Sequence, residues 1–151
     1  MIRRGAHGDL AFMRSMLAHA YGWRVNQLNA EIPLARYVDN WGRPGDVALI
    51  AAEGPNRVGA AWYRLFPEAA PGYAFVDEQT PELTIAVVPS RRRHGVGQEL
   101  LTALLDQARA DGYEAVSLSV EQGSPAVEFY ERNGFELLGE TGGAVTMRRS
   151  L

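Results

Sequence analysis

The chain has 151 residues, 46% of them hydrophobic and 22% charged, with 15 Lys and Arg against 18 Asp and Glu and no cysteine. These values suit one soluble domain that buries roughly 70% of its unfolded surface, and a net charge of -3 gives no reason to expect nucleic acid or an anionic membrane as a partner. The lack of cysteine excludes disulfides, a thiolate nucleophile and cysteine-ligated zinc, and fits a reducing cytoplasm. No segment approaches the run of about 18 apolar residues that spans a membrane, and residues 1–9 hold no apolar stretch of signal-peptide type.

Taken in chain order, Ile2 to Arg4 reads as a short first strand. Leu10, Met13, Met16, Leu17 and Ala20 recur at helical spacing, with Asp9 as the expected N-cap. Asn26 to Trp41 is helix-like, although Pro33 must break it or start a second piece. Val47 to Glu53 and Val58 to Phe66 read as a hairpin joined by Gly54-Pro55-Asn56-Arg57. Residues 67–81 read as a loop, with Tyr73 to Val76 as a strand fragment. Leu83 to Val88 is a strand stopped by Pro89, and a strong helix runs from Gly95 to about Asp111. Its apolar face is Val96, Leu100, Leu101, Leu104, Leu105 and Ala108, and Gly112 is its C-cap candidate. Val116 to Val120 is the next strand. Ser124 and Pro125 open a further helix that Asn133-Gly134 closes, and Phe135 to Gly139 with Ala144 to Arg148 form a terminal antiparallel pair. The order implies an α/β chain: a central, mostly antiparallel mixed sheet with one parallel βαβ crossover and helices on both faces.

The crossover carries the chemistry. Arg92-Arg93-His94-Gly95-Val96-Gly97 lies between a strand end and a long helix. Amides at a helix N-terminus have no partner within the helix, and the dipole is positive there, so a diphosphate fits. Gly95 and Gly97 let oxygens approach the backbone, and Arg91, Arg92 and Arg93 can supply charge-assisted bonds. A P-loop would need Gly-Lys-Ser/Thr where Gly97 is followed by Gln98-Glu99, and a dinucleotide fingerprint would need a third Gly or Ala where Leu100 stands.

The stretch Ile85 to Gly97, with Arg92, Gly95 and Gly97 at the key positions, resembles the acyl-CoA motif of the GNAT family of N-acetyltransferases. Ser124-Pro-Ala-Val-Glu-Phe-Tyr-Glu-Arg-Asn-Gly-Phe resembles the family's second signature. The resemblance covers nearly the whole chain as a single domain. It implies an acyl-CoA N-acyltransferase-like fold, acetyl-CoA as co-substrate, no metal, and transfer of an acetyl group to an amine by direct attack in a ternary complex. It further implies that the backbone of Ile85, Ala86 and Val87 pairs with the pantetheine arm. Arg92, Arg93, His94, Gly95, Val96, Gly97 and Gln98 would wrap the pyrophosphate, and Tyr130 would be the general acid. Ser124 contacts the cofactor in this scheme, although it stands where many relatives carry Asn and cannot donate an amide N–H. Ser119 lies near the place where some N-terminal peptide acetyltransferases have a catalytic Glu.

A lysine-type amine has a pKa of about 10.4, so at neutral pH roughly one molecule in a thousand or fewer is a free base, and a proton acceptor is useful. Glu82, placed at the mouth of the splayed strand, is the first candidate base, Glu121 the second and Glu78 the third. The backbone N–H of Val87 is the family-like donor to the developing oxyanion. His7 and His19 are too scattered to suggest metal, and His94 is either a phosphate contact or a solvated turn residue. Most of Tyr21, Trp23, Tyr37, Trp41, Trp62 and Tyr63 read as packing residues, with a minority free to line an acceptor pocket that Asp77, Glu78 and Glu82 would make attractive to a cation. The acceptor, a small-molecule or peptide amine, stays open, as do the acyl length and whether the chain is a homodimer. The alternatives are a non-catalytic acyl-CoA binding or sensing module and a plain nucleotide-binding or interaction domain.

Overall fold

The computed structural model describes residues 1–23 and 32–151. Its strands are Ile2–Arg4 (β1), Val47–Glu53 (β2), Asn56–Arg64 (β3), Glu82–Val87 (β4), Ala115–Glu121 (β5), Glu136–Thr141 (β6) and Ala144–Ser150 (β7). Its α-helices are Leu10–Tyr21 (α1), Val96–Ala110 (α2) and Pro125–Arg132 (α3). The sheet order is β1-β2-β3-β4-β5-β7-β6, antiparallel throughout except where β4 meets β5. Among the described residues, no helix is long and apolar enough to cross a membrane.

Side chains alternate across β2 and so feed two layers. Val47, Leu49 and Ala51 join the α2 and α3 side, while Ala48 and Ile50 join the α1 side. Both layers are covered, which is why six of the seven β2 residues are buried. The apolar stripe of α2 packs as its spacing predicts, with Leu100, Leu101, Leu104, Leu105 and Ala108 buried. Gly112, at φ +87°, closes this helix. The N–H of Tyr113 returns to the Ala108 carbonyl and that of Gly112 to the Arg109 carbonyl, the paired bonds of a Schellman end. The start of α2 lies so close to the sheet that a Cβ on Gly59 would sit 3.1 Å from Leu100 and 3.3 Å from Val96.

Several expectations are corrected or refined. Asp9 does not cap α1; its carboxylate turns back to accept the Ala6 N–H at 2.7 Å and pairs with Arg3 and Arg57. The Arg3 guanidinium in particular holds this carboxyl well below the usual carboxylate range. Within the helix-like stretch Asn26 to Trp41, Pro33 starts a separate piece, one of the two outcomes expected of it. Residues 24–31 lie outside the described part, and Leu34–Tyr37 is a single 3-10 turn after Pro33. The buried Arg64 guanidinium takes the carbonyls of Arg36, within this turn, and of Asp39, just after it, at 3.0 and 2.7 Å. Tyr73 to Val76 is not a strand. The Tyr73 N–H donates to Tyr37, the Ala74 N–H to Glu82, and the Ala74 carbonyl accepts from Ser117 Oγ. Side chains, not a neighbouring strand, satisfy this backbone. The first hairpin also shifts, so that β3 begins at Asn56 and ends at Arg64.

Candidate active site

β4 pairs with β3 from end to end but with β5 at one register position, Glu82 opposite Ser117. There the Ser117 N–H donates to the Pro81 carbonyl at 3.1 Å. Beyond it β4 and β5 share no further register pair, and a wedge opens between them toward their carboxyl ends. The Val88 N–H donates to Val58 in β3 at 2.8 Å. Main-chain groups alternate along a strand, so those of Ile85 and Val87 point away from β3 and into the wedge. Ala86, grouped with them from sequence, turns its own main chain to β3, opposite Ala60.

The turn after β4 is a 3-10 piece, Pro89–Arg91, followed by residues 92–95 and then α2. Arg93 (φ +66°) and Gly95 (φ +83°) are both left-handed. For arginine that conformation costs about 1–2 kcal/mol, a strain often kept at ligand-gripping turns. No side chain caps α2 at Gly95. The first amide to find a helical carbonyl is that of Glu99, at 3.0 Å from the Gly95 oxygen. The amides of Val96, Gly97 and Gln98 therefore present the positive end of a 15-residue helix. A Cβ on Gly97 would meet only Val87, at 3.9 Å, so the space before these amides is open.

The cations around this turn divide by what they already hold. Arg91 pairs with Glu53 at 2.8 Å. Arg92 Nε donates to the Val87 carbonyl at 3.2 Å and its Nη2 reaches His19 at 3.4 Å. The Gln98 side chain exchanges hydrogen bonds with Asn133 at 2.8 and 3.1 Å, tying the start of α2 to the end of α3. Arg93 and His94 are exposed. We expect Arg93→Ala to weaken coenzyme A binding about tenfold and Arg91→Ala to weaken it less than twofold, read by titration calorimetry. Equal losses would show that the turn attracts phosphate by general charge alone.

α3 starts where sequence places it. Ser124 Oγ accepts the Ala126 N–H at 3.1 Å, with Pro125 in the first turn. This cap occupies the Ser124 oxygen and leaves its proton free to donate. Tyr130 is half-buried between Phe129 and Phe135, with ring centroids at 5.2 and 5.5 Å, and desolvation pushes its phenol up to about 12.

Glu82 lies at the closed apex of the wedge rather than at its mouth, because it is the residue that pairs with β5. Its carboxylate is buried, at 2% exposure. Oε1 accepts from Tyr37 Oη at 2.8 Å and from the Ala74 N–H at 3.0 Å. Gly72 approaches so closely that a Cβ there would stand 2.3 Å from a Glu82 oxygen. Tyr21 Oη lies 3.1 Å from Thr84 Oγ1, two residues along β4. The other candidate carboxylates are exposed: Glu121 ends β5, and Glu78 accepts the Glu68 N–H at 2.8 Å. Glu78 and Asp77 border an open depression of about 590 Å³ with Phe75 and Val76.

The sequence model of the Acetyltransferase (GNAT) family matches residues 10–135. The chain belongs to this family. It is 30% identical, over 105 residues, to an L-methionine sulfoximine/L-methionine sulfone acetyltransferase of Pseudomonas aeruginosa; the aligned part is 69% of this chain and 59% of that protein. The chain thus spans less than two thirds of the length of that relative. The GNAT chain is also similar to the crystal structure of a ribosomal-protein-alanine N-acetyltransferase from Brucella melitensis, with TM-score 0.72 and 25% identity over 100% of this chain and 99% of the other. The PaiA N-acetyltransferase of Thermoplasma acidophilum, solved in complex with coenzyme A, shares the fold at TM-score 0.72 and 16% identity, over 100% of this chain and 98% of that one.

The surroundings of Glu82 are what sequence reasoning missed in this GNAT chain. Tyr37 and Tyr21 come from segments far from β4 in the chain and Gly72 from the loop that precedes it, and no spacing rule joins them. The one available signal was the density of aromatics in the amino-terminal half. Most of these do pack in the core: Tyr37, Trp62 and Tyr63 are fully buried, and Tyr21 is nearly so.

Proposed function

We propose that this GNAT chain transfers the acetyl group of acetyl-CoA to a primary amine by direct attack in a ternary complex, with a small amino-acid-like amine as acceptor. The observation that carries the first part is the uncapped start of α2 beside the open edge of β4. Acetyl-CoA, when bound, supplies an activated thioester carbonyl. The amides of Val96, Gly97 and Gln98, with Arg93, bind its pyrophosphate, and the main-chain groups of Ile85 and Val87 hold its arm as a strand edge holds an added strand. The Val87 N–H is the fixed donor for charge that develops on the carbonyl oxygen. Glu82 takes the amine proton. The acceptor class rests on the 30% identity to a methionine sulfone acetyltransferase. The acidic depression beside Phe75 offers a place for a cationic amine.

Tyr130 acts as a hydrogen-bond donor to the departing sulfur. A thiol ionises near about 8.5 while the phenol is held at about 12, so complete proton transfer would be uphill by about 5 kcal/mol. The hydroxyl stays protonated across the neutral range. Tyr130→Phe is expected to lower kcat about 10- to 100-fold with coenzyme A affinity unchanged, and the native enzyme to show no loss of rate from this group between about pH 8 and 10. Full activity of the phenylalanine variant would remove the role.

The overall reading is tested by following thiol release from acetyl-CoA with L-methionine sulfoximine, L-methionine sulfone, lysine and a peptide with an N-terminal alanine. Release with an amino acid is the expected result. Release with the peptide alone would reassign the acceptor, and coenzyme A binding without release from any amine would favour a non-catalytic binding module.

A further inference from the structure

We propose that Tyr37 is a positioning residue that holds the Glu82 carboxylate in the orientation from which it takes the acceptor's proton. The inference rests on the reading of Glu82 as the base. Tyr37 is fully buried, and its hydroxyl has both roles filled. It accepts the Tyr73 N–H at 2.7 Å and donates to Glu82 Oε1 at 2.8 Å. One proton and one acceptor leave it a single direction in which to donate. The ring cannot turn away: it is stacked on Tyr73 at 5.5 Å, flanked by Tyr21 and Phe66 at 5.1 Å each, and Trp62 Nε1 holds its carbonyl at 3.1 Å. Burial pushes the phenol well up, so it remains a donor wherever the enzyme works. The Ala74 N–H joins the same Oε1, and Ser117 Oγ holds the Ala74 carbonyl, which locks residues 72–74 across the apex where β4 and β5 part.

Among the described residues, the ionisable groups around Glu82 include Tyr37, with Tyr21 and Tyr73 beside it, and Arg64 across the β3 ladder, whose guanidinium is committed to Asp46. A donor to a carboxylate favours the charged form. Losing it should move Glu82 up in pH, and strengthening it should move Glu82 down.

The experiment compares Tyr37→Phe with the chain carrying 3-fluorotyrosine at position 37, a stronger donor of nearly native size that keeps the fold. Glu82 is titrated by ¹³C NMR of glutamate-labelled protein, its signal assigned with Glu82→Gln, and kcat is followed against pH with acetyl-CoA and the fastest amine of the panel above. We expect the Glu82 midpoint and the acid limb of kcat to rise together in the phenylalanine variant and fall together in the fluorinated one. The phenylalanine variant should also lose about tenfold in kcat, with acetyl-CoA affinity unchanged. A midpoint or an acid limb that stays put in both variants overturns the proposal. Full turnover by Glu82→Gln would instead remove Glu82 as the base, whatever the Tyr37 variants do.

Discussion

Gly97→Trp is expected to abolish coenzyme A binding while leaving the fold intact. A β-carbon at this position has room, since its nearest neighbour would be Val87 at 3.9 Å, and Gly97 does not adopt a positive φ. The indole would then fill the space in front of the α2 amides, where phosphate oxygens must come within hydrogen-bond distance. Ligand at a hundredfold excess over its dissociation constant stabilises the native state by about 2.7 kcal/mol, worth about 5–10 °C in a chain of this size. The native protein should show that rise with coenzyme A and the tryptophan variant none. An equal rise in both would place the diphosphate elsewhere. Gly95 is the less useful probe, because its φ of +83° makes any side chain strain the turn, so lost binding there would not separate occlusion from distortion.

The largest expected loss of stability is at Asp46. Its carboxylate forms a two-pronged pair with Arg64, at 3.0 and 2.7 Å, and both side chains are 1% exposed. It also accepts the N–H groups of Gly42 and Arg43. Asp46→Ala leaves a guanidinium buried without a counter-charge, with half-buried Arg43 close enough to feel it. Breaking a buried pair from one side costs about 3–5 kcal/mol, so the melting temperature should fall by on the order of 10 °C. A loss under about 1 kcal/mol would show that the remaining Arg64 bonds, to the Arg36 and Asp39 carbonyls and over the Trp41 ring, carry the loop by themselves.

Arg64 also helps explain why residues 34–41 are not the helix their sequence suggests. An arginine at the end of a strand reads as a solvent-facing position. Here it is turned inward to gather the carbonyls of Arg36 and Asp39 from a distant segment. Residues 71–76 follow the same rule, with Glu82, Tyr37 and Ser117 supplying the partners. In each case most of these backbone groups are satisfied by side chains 25 to 43 positions away, with Glu82 eight positions on serving Ala74, a relation that no local period encodes.

Local chemistry was enough for the rest. The spacing of Leu100, Leu101, Leu104, Leu105 and Ala108, the stop at Gly112, the Ser124-Pro125 start and the turn with Gly95 and Gly97 each act within a few residues. The sequence by itself therefore determined the βαβ unit, the glycine-flanked start of its helix and the family of the chain. Only the tertiary structure decided which main-chain groups of β4 face the wedge, which arginines are already engaged, and that Glu82 is a buried carboxylate at the apex held by Tyr37. Those properties arise where strands from distant parts of the chain pair and separate, and the cost of burying a charge is settled by neighbours that sequence order does not reveal.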